Sequence, residues 1–218
     1  MKRIILLALI LSFLPSVEAR TVDGCLMPSE LKKRPKIWVK PKIKTDKQHE
    51  EGYRYISTNG VSFANTGMRS SVFPTICSLH KSIWDNRKSY TLTFNIVRAE
   101  KTSIGEGSKL LLKFDDGSVI ELKLKPINYY KEVKNEVHAS SSGLYYTCNP
   151  SYDLTDSQVQ KIISQEVVKI RMEISTGEGY VDVSTDNTKG LYFSDTLREC
   201  YNAIAEKEKQ SNGLYDGF

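Results

Sequence analysis

The sequence predicts a mainly β, α+β domain: an antiparallel β-sandwich or strongly curved sheet with one short helix and a C-terminal helix. Three observations carry this expectation. From Tyr53 onward apolar and polar residues alternate, as in Leu92, Phe94 and Ile96 against Thr91, Thr93 and Asn95, the period of a half-buried strand. Such alternation marks sheets with one wet face, which is the antiparallel case. Only two stretches switch to helical spacing, so the strands are not separated by the regular helices of a parallel α/β fold.

Along the chain, Lys2 and Arg3 precede an apolar run from Ile4 to Leu14, followed by Pro15 and the small-residue site Val17-Glu18-Ala19. This is the build of a secretory signal, so residues 1–19 are set apart from the fold and export to a periplasmic or extracellular space is expected. The run is about half the length of a membrane span, and no transmembrane segment is expected after it. It ends well before Cys25, and Asp23 stands where a lipidation site takes a small or apolar residue.

Residues 20–52 read as a basic arm or linker, punctuated by Pro35 and Pro41, with Ile37-Trp38-Val39 as a short edge strand. Lys32, Lys33, Arg34, Lys36, Lys40, Lys42, Lys44 and Lys47 face only Asp46 there, a local charge of +7. Removing Lys2, Arg3 and Glu18 leaves 29 basic and 25 acidic residues, so the rest of the mature chain stands near −3. The basic arm suits an anionic surface such as a lipid headgroup or acidic polysaccharide, with a solvated tether as the plainer reading. Nucleic acid is not expected for an exported chain with a slightly acidic body.

Residues 53–210 form the expected single domain, with 211–218 as a tail. Its first hairpin is placed at Asn59-Gly60, pairing Ile56 with Phe63. The second is fixed by parity, since cross-strand partners share a face. A three-residue loop, Asp115-Asp116-Gly117, sets Leu112 against Ile120 and Leu110 against Leu122, with Gly117 left-handed in a bulge. Thr155 and Gln158 have capping-box spacing, Leu154 and Val159 that of a hydrophobic staple, and Val159, Ile162 and Ile163 a buried stripe. Val168, Ile170, Met172 and Ile174 share the face of the next strand. A two-residue loop at Gly177-Glu178 pairs Ile174 with Val181 and Met172 with Val183. The last helix starts near Ser194 as N-cap, buries Leu197, Cys200, Tyr201 and Ile204, and frays after Ala205 where the residues become charged.

Catalytic constellations are scarce. His49, His80 and His138 are scattered and form no metal-ligand motif, and there is no nucleophile elbow, phosphate loop or dinucleotide fingerprint. No metal, cofactor or catalytic residue is assigned. Cys77 with His80, or Cys148 with His138, stands as a thiol–imidazole pair on proximity alone. Asp115-Asp116 is accounted for by its turn, and Asp182, Asp186 and Asn187 lack the acidic density of a calcium loop. Cys25, Cys77, Cys148 and Cys200 permit two disulfides of unknown pairing in an exported chain, or are buried thiols.

Tyrosine is the unusual count, at 12. Trp84, Tyr130, Tyr145 and Tyr146 are the candidate ligand-binding aromatics, because an exposed ring on a secreted β-domain stacks on a sugar or anchors a protein; cross-strand packing is the plainer role. The expected function is therefore a non-enzymatic exported binding module for a glycan or protein. The alternatives are a hydrolase with a site assembled in space, and a structural or assembly subunit of the envelope.

Overall fold

The computed structural model describes residues 40–65, 76–85, 87–98, 104–124, 136–140, 143–174, 179–186, 188 and 190–212. All belong to one compact unit, Arg34–Phe218. The strands are β1 (Ile43–Gln48), β2 (Arg54–Thr58), β3 (Val61–Ser62), β4 (Ala64–Asn65), β5 (Ile76–Trp84), β6 (Arg87–Arg98), β7 (Lys109–Phe114), β8 (Val119–Lys123), β9 (Glu136–Ser140), β10 (Gly143–Cys148), β11 (Ser151–Leu154), β12 (Val167–Glu173), β13 (Tyr180–Ser184) and β14 (Gly190–Leu191). The helices are α1 (Asp156–Ser164) and α2 (Phe193–Asn212). The large sheet runs β1-β2-β5-β6-β10-β9, with β3 on β5 and β11 on β6. A second sheet runs β13-β12-β7-β8, and β4 pairs β14. Every described ladder is antiparallel, as expected.

One buried cluster joins the sheets and helices. Leu79, Leu92, Phe94, Leu112, Phe114, Ile170 and Met172 are fully inaccessible within it, as are Leu197 and Cys200 of α2. The alternation in β6 holds throughout: Leu92, Phe94 and Ile96 point inward, while Thr91, Thr93 and Asn95 are part-exposed. β10 and β11 lie along β6 in one register, with Cys148 opposite Ile96 and Ser151 opposite Thr93. Pro150, which has no N–H, falls between them and accepts from Phe94 N–H at 3.0 Å, so the ladder is interrupted although the path is continuous.

The β7–β8 hairpin has the expected register, with Leu112 opposite Ile120 and Leu110 opposite Leu122. Gly117 has φ 82°, the left-handed geometry the bulge requires. The capping box of α1 is also present. Gln158 N–H donates to Thr155 Oγ1 at 3.2 Å, and Thr155 N–H donates to Gln158 Oε1 at 2.9 Å.

Five expectations are corrected. First, Asn59-Gly60 makes no hairpin. β2 and β3 both run along β5, with Ser57 opposite His80 and Val61 opposite Cys77, so the chain continues past a one-residue bulge. Asn59 Oδ1 accepts Lys42 N–H at 2.7 Å, and a Cβ on Gly60 would meet Ile76 Cγ2 at 2.8 Å. The glycine therefore serves a close approach, not a reversal. Second, β12 and β13 pair Met172 with Val181 and Ile170 with Val183, two residues away from the expected register. Parity fixes register only modulo two. The observed register puts Arg171 opposite Asp182, whereas the expected one puts Glu173 there, and like charges directly opposed are unfavourable.

Third, a bulge between Val167 and Lys169 turns Val167 inward at 1% exposure in place of Val168. Fourth, α2 begins at Phe193, and Ser194 Oγ accepts Val167 N–H at 3.0 Å instead of capping the helix. Its charged end continues to Asn212 because Lys207 and Glu208 find partners on the sheet. Fifth, Cys77, Cys148 and Cys200 are buried free thiols and form no disulfide. The basic stretch also enters the fold, since Ile43–Gln48 pairs with β2 as an edge strand. Residues 1–39, including Ile37-Trp38-Val39 and Cys25, lie outside the described residues.

Candidate functional site

The two sheets differ in what they place on their outer faces. On the second sheet the outer positions hold charges, several of which pair with one another. Lys109 meets Glu121 at 3.2 Å, and Lys169 and Arg171 each meet Asp182 at 2.7 Å. Asp182 is thereby removed from any calcium site with Asp186. On the large sheet the outer positions across β2, β5, β6 and β11 include Tyr55, the buried Ser57, Ser78, His80, Ser82, Ser89, Thr91, Thr93, Asn95 and Ser151, with Ile76 and Trp84 as exposed apolar side chains and Asp153 and Arg87 as charges at the margins. A wet sheet face is ordinarily kept soluble by charge; this one is lined with hydroxyls and amides.

These groups are ordered by one another. Thr93 Oγ1 and Ser151 Oγ are 2.8 Å apart, and Asn95 Nδ2 donates to Asn149 Oδ1 at 2.8 Å. His80 Nε2 lies 3.1 Å from Ser78 Oγ, and His80 Nδ1 lies 2.5 Å from Tyr55 Oη. Burial, aided by the nearby charge of Lys44, lowers the His80 pKa to about 4. Neutral imidazole carries one donor and one acceptor nitrogen, so it bridges the two hydroxyls as the middle member of a chain.

At one end of this face stand three stacked rings. His49 comes from the β1–β2 turn, where its N–H donates to Tyr53 C=O at 2.8 Å and Gly52 takes φ 82°. Its ring lies on Tyr53 at 4.4 Å and 19°. Tyr53 in turn lies on Trp84 at 6.0 Å and 26°. Trp84 ends β5, directly opposite Arg87, which leaves a two-residue turn begun by Asp85 with φ 41°, a conformation Asp tolerates. Asp85 Oδ2 accepts Trp84 Nε1–H at 3.1 Å and so fixes the indole, which is 47% exposed.

Of the four candidate aromatics, Trp84 is thus exposed at the end of the hydroxyl-lined face. Tyr130 lies outside the described residues. Tyr145 and Tyr146 sit on β10, opposite His138 and Val137, and their side chains lie outside what is described. Of the basic candidates, Lys40, Lys42 and Lys44 are exposed beside or within β1, while Lys32, Lys33, Arg34 and Lys36 are outside the described residues. His49 and His80 were weighed from sequence only as scattered histidines or, for His80, as a partner of Cys77, and Tyr53, Tyr55 and the hydroxyl rows were not among the residues singled out there. Their signal was the repeated Ser and Thr at strand-outward positions without Lys or Glu.

The same geometry weighs against the catalytic alternatives. Ser78 and His80 resemble a nucleophile and base, but an imidazole with a pKa near 4 is a weak base at neutral pH. The amide following Ser78, where an oxyanion donor would be sought, already donates to Thr58 Oγ1 at 3.1 Å. Cys77 is buried on the opposite side of β5 from His80, and burial pushes its thiol pKa well up, the reverse of an activated cysteine. Among the described residues no three His, Cys, Asp or Glu side chains gather as metal ligands. No described helix is long and apolar enough to cross a membrane.

An open groove of about 500 Å³ lies beneath α2, lined by Lys81, Lys88, Tyr90, Asp156, Tyr201 and Glu208. Its central charges satisfy one another, since Lys81 donates to Glu208 and Lys88 lies 3.9 Å from the same carboxylate. No protein-family model, curated protein or solved structure matches the chain.

His80 supplies a test of its buried, neutral state. Its folded pKa of about 4 lies below the ordinary 6.5, so between those values the unfolded chain binds the proton and the folded chain does not. Stability is expected to be full above pH 6.5 and to fall by about 3 kcal/mol on acidification to pH 4, at about 1.4 kcal/mol per pH unit. Urea titrations at pH 7 and pH 4.5 check this. His80→Gln removes most of the slope, and an unchanged slope in that variant refutes the assignment.

Proposed function

We propose that this protein is an exported, non-enzymatic binding module that holds a carbohydrate on the outer face of its large sheet. The observation that carries the reading is the 47% exposed Trp84, backed by the stacked rings of Tyr53 and His49, at the end of a hydroxyl- and amide-lined face. Aromatic rings stack on the apolar face of a sugar, while fixed hydroxyls and amides exchange hydrogen bonds with its rim. A protein anchor is less well served here, since such anchors sit in desolvated pockets ringed by apolar contacts. Export is supported by Lys2, Arg3, the Ile4–Leu14 run and Val17-Glu18-Ala19.

A glycan array probed with the mature chain tests the reading. Trp84→Ala is expected to weaken retention about tenfold or more. It should leave the melting temperature nearly unchanged, because half of the indole surface already faces water. Binding to no glycan, or binding indifferent to Trp84→Ala, overturns the proposal. A concentration-dependent shift to oligomers in light scattering would favour the assembly alternative instead.

A further inference from the structure

We infer that the ligand of this face is an acidic polysaccharide, its carboxylate or sulfate groups held by Arg87, Lys47 and Lys44; this rests on the carbohydrate reading above. On the second sheet's outer face Lys109, Lys169 and Arg171 are paired with Glu121 or Asp182, while Lys113 and Lys123 stand exposed beside them. The cations around the hydroxyl face are Lys44, Lys47 and Arg87. Lys47 stands opposite Tyr55, Arg87 opposite Trp84, and Lys44 is close enough to His80 to depress its pKa. None of the three has an acidic partner among the described residues. Two carboxylates adjacent in sequence are engaged elsewhere, since Asp85 holds the Trp84 indole and Asp46 holds Arg54 at 2.9 Å and Lys207 at 3.8 Å, while Glu50 and Glu51 stand exposed in the β1–β2 turn.

Placement adds to charge. Lys47 and Arg87 are three strands apart and two residues out of step, which is roughly 16 Å on a regular sheet. Between them lie Tyr53, Tyr55, Ser82 and Trp84. A chain of several sugar units crossing the strands would stack on the rings and meet a cation at each end. Unpaired cations flanking uncharged hydroxyls complement a polymer that carries both hydroxyls and periodic negative charge. A phosphate-bearing surface without sugars would leave the ring row unused.

Matched pairs decide the point: oligogalacturonate against its methyl ester, sialylated glycans against their asialo forms, and heparin fragments against desulfated ones. In each pair that binds, the acidic member is expected to bind about tenfold tighter at low ionic strength, and the advantage should shrink at 0.5 M NaCl. Arg87→Gln and Lys47→Gln should each weaken the acidic member about three- to tenfold and leave its neutral twin unchanged. Both side chains are exposed, so folding is unaffected. Trp84→Ala should weaken both members alike. Equal or tighter binding of the neutral twins overturns this inference while leaving the carbohydrate reading intact. Binding of neither member in any pair overturns both. Tight capture by anionic lipid vesicles that survives Trp84→Ala would also overturn it.

Discussion

Phe94→Ala should lower the stability of the domain by about 3–5 kcal/mol, the range for deleting a fully buried phenyl ring. Phe94 is wholly inaccessible and central to β6. It meets Phe63 and Tyr152 edge-on at 5.6 and 6.3 Å, and lies parallel to Phe193 at 5.9 Å. Those three rings come from the β3–β4 connection, from β11 and from the start of α2, so truncation loosens three elements at once. The loss should exceed that of Leu92→Ala, a neighbour on the same strand face without ring partners. Tyr152 sharpens the expectation, because its buried hydroxyl has no hydrogen-bond partner among the described residues. Its ring is held by packing, and the cavity left by Phe94 gives the ring room to move. Urea unfolding followed by fluorescence reads the loss. A change below about 1 kcal/mol would show that the cluster closes over the cavity.

The sequence-level expectations held where two independent constraints met at one position. In the β7–β8 hairpin, side-chain parity and the need for a left-handed glycine agree on a single loop, and both are observed. In β12–β13 parity left two registers open, and the pairing of Arg171 with Asp182 settles between them. That information lay in the charges of the two strands. At Asn59-Gly60 the turn signal was real in composition but served another purpose, since Asn59 ties the edge of β1 and Gly60 admits Ile76. The longest ladder, β5 with β6, runs to Trp84 opposite Arg87 and went unrecognised. The sequence between Trp84 and Arg87 carries no glycine, and Lys81 sits at an inward position of β5, where it masks the apolar alternation.

The candidate site was legible in part. Trp84 stood out as an aromatic, and the Ser and Thr runs were readable as wet strand faces. That those faces lie side by side depends on strand order. Tyr53 and Trp84 are 31 positions apart and meet only because β2 neighbours β5. His49 joins them through the β1–β2 turn, inside a stretch whose lysine density reads as a solvated arm. A face with its hydroxyls and amides at the centre and its charges at the margins is an inference about two dimensions, and local periodicity reports only one.

The charged end of α2 yields the second large effect. Glu208→Ala should destabilise the domain by about 3 kcal/mol and more than Lys81→Met does. Lys81 occupies a core-facing position on β5, its side chain 5% exposed, and its ammonium donates to Glu208 beside the ring of Tyr90. Removing Glu208 leaves that cation buried and uncompensated, and breaking a buried pair from one side typically costs 3–5 kcal/mol. Glu208 itself is 20% exposed, which places the expectation at the low end of that range. Removing Lys81 instead leaves Glu208 with water and with Lys88 at 3.9 Å. The double variant Lys81→Met with Glu208→Leu should recover most of the stability, because both desolvated charges are then gone. Hydrogen exchange locates the effect. With Glu208→Ala the last turns of α2 should exchange faster while β6 keeps its protection, since among the ion pairs described for that end the Lys207–Asp46 contact at 3.8 Å is what remains. Equal losses in the two single variants would mean that Lys81 reaches water by another route and that the pair does not hold the helix end.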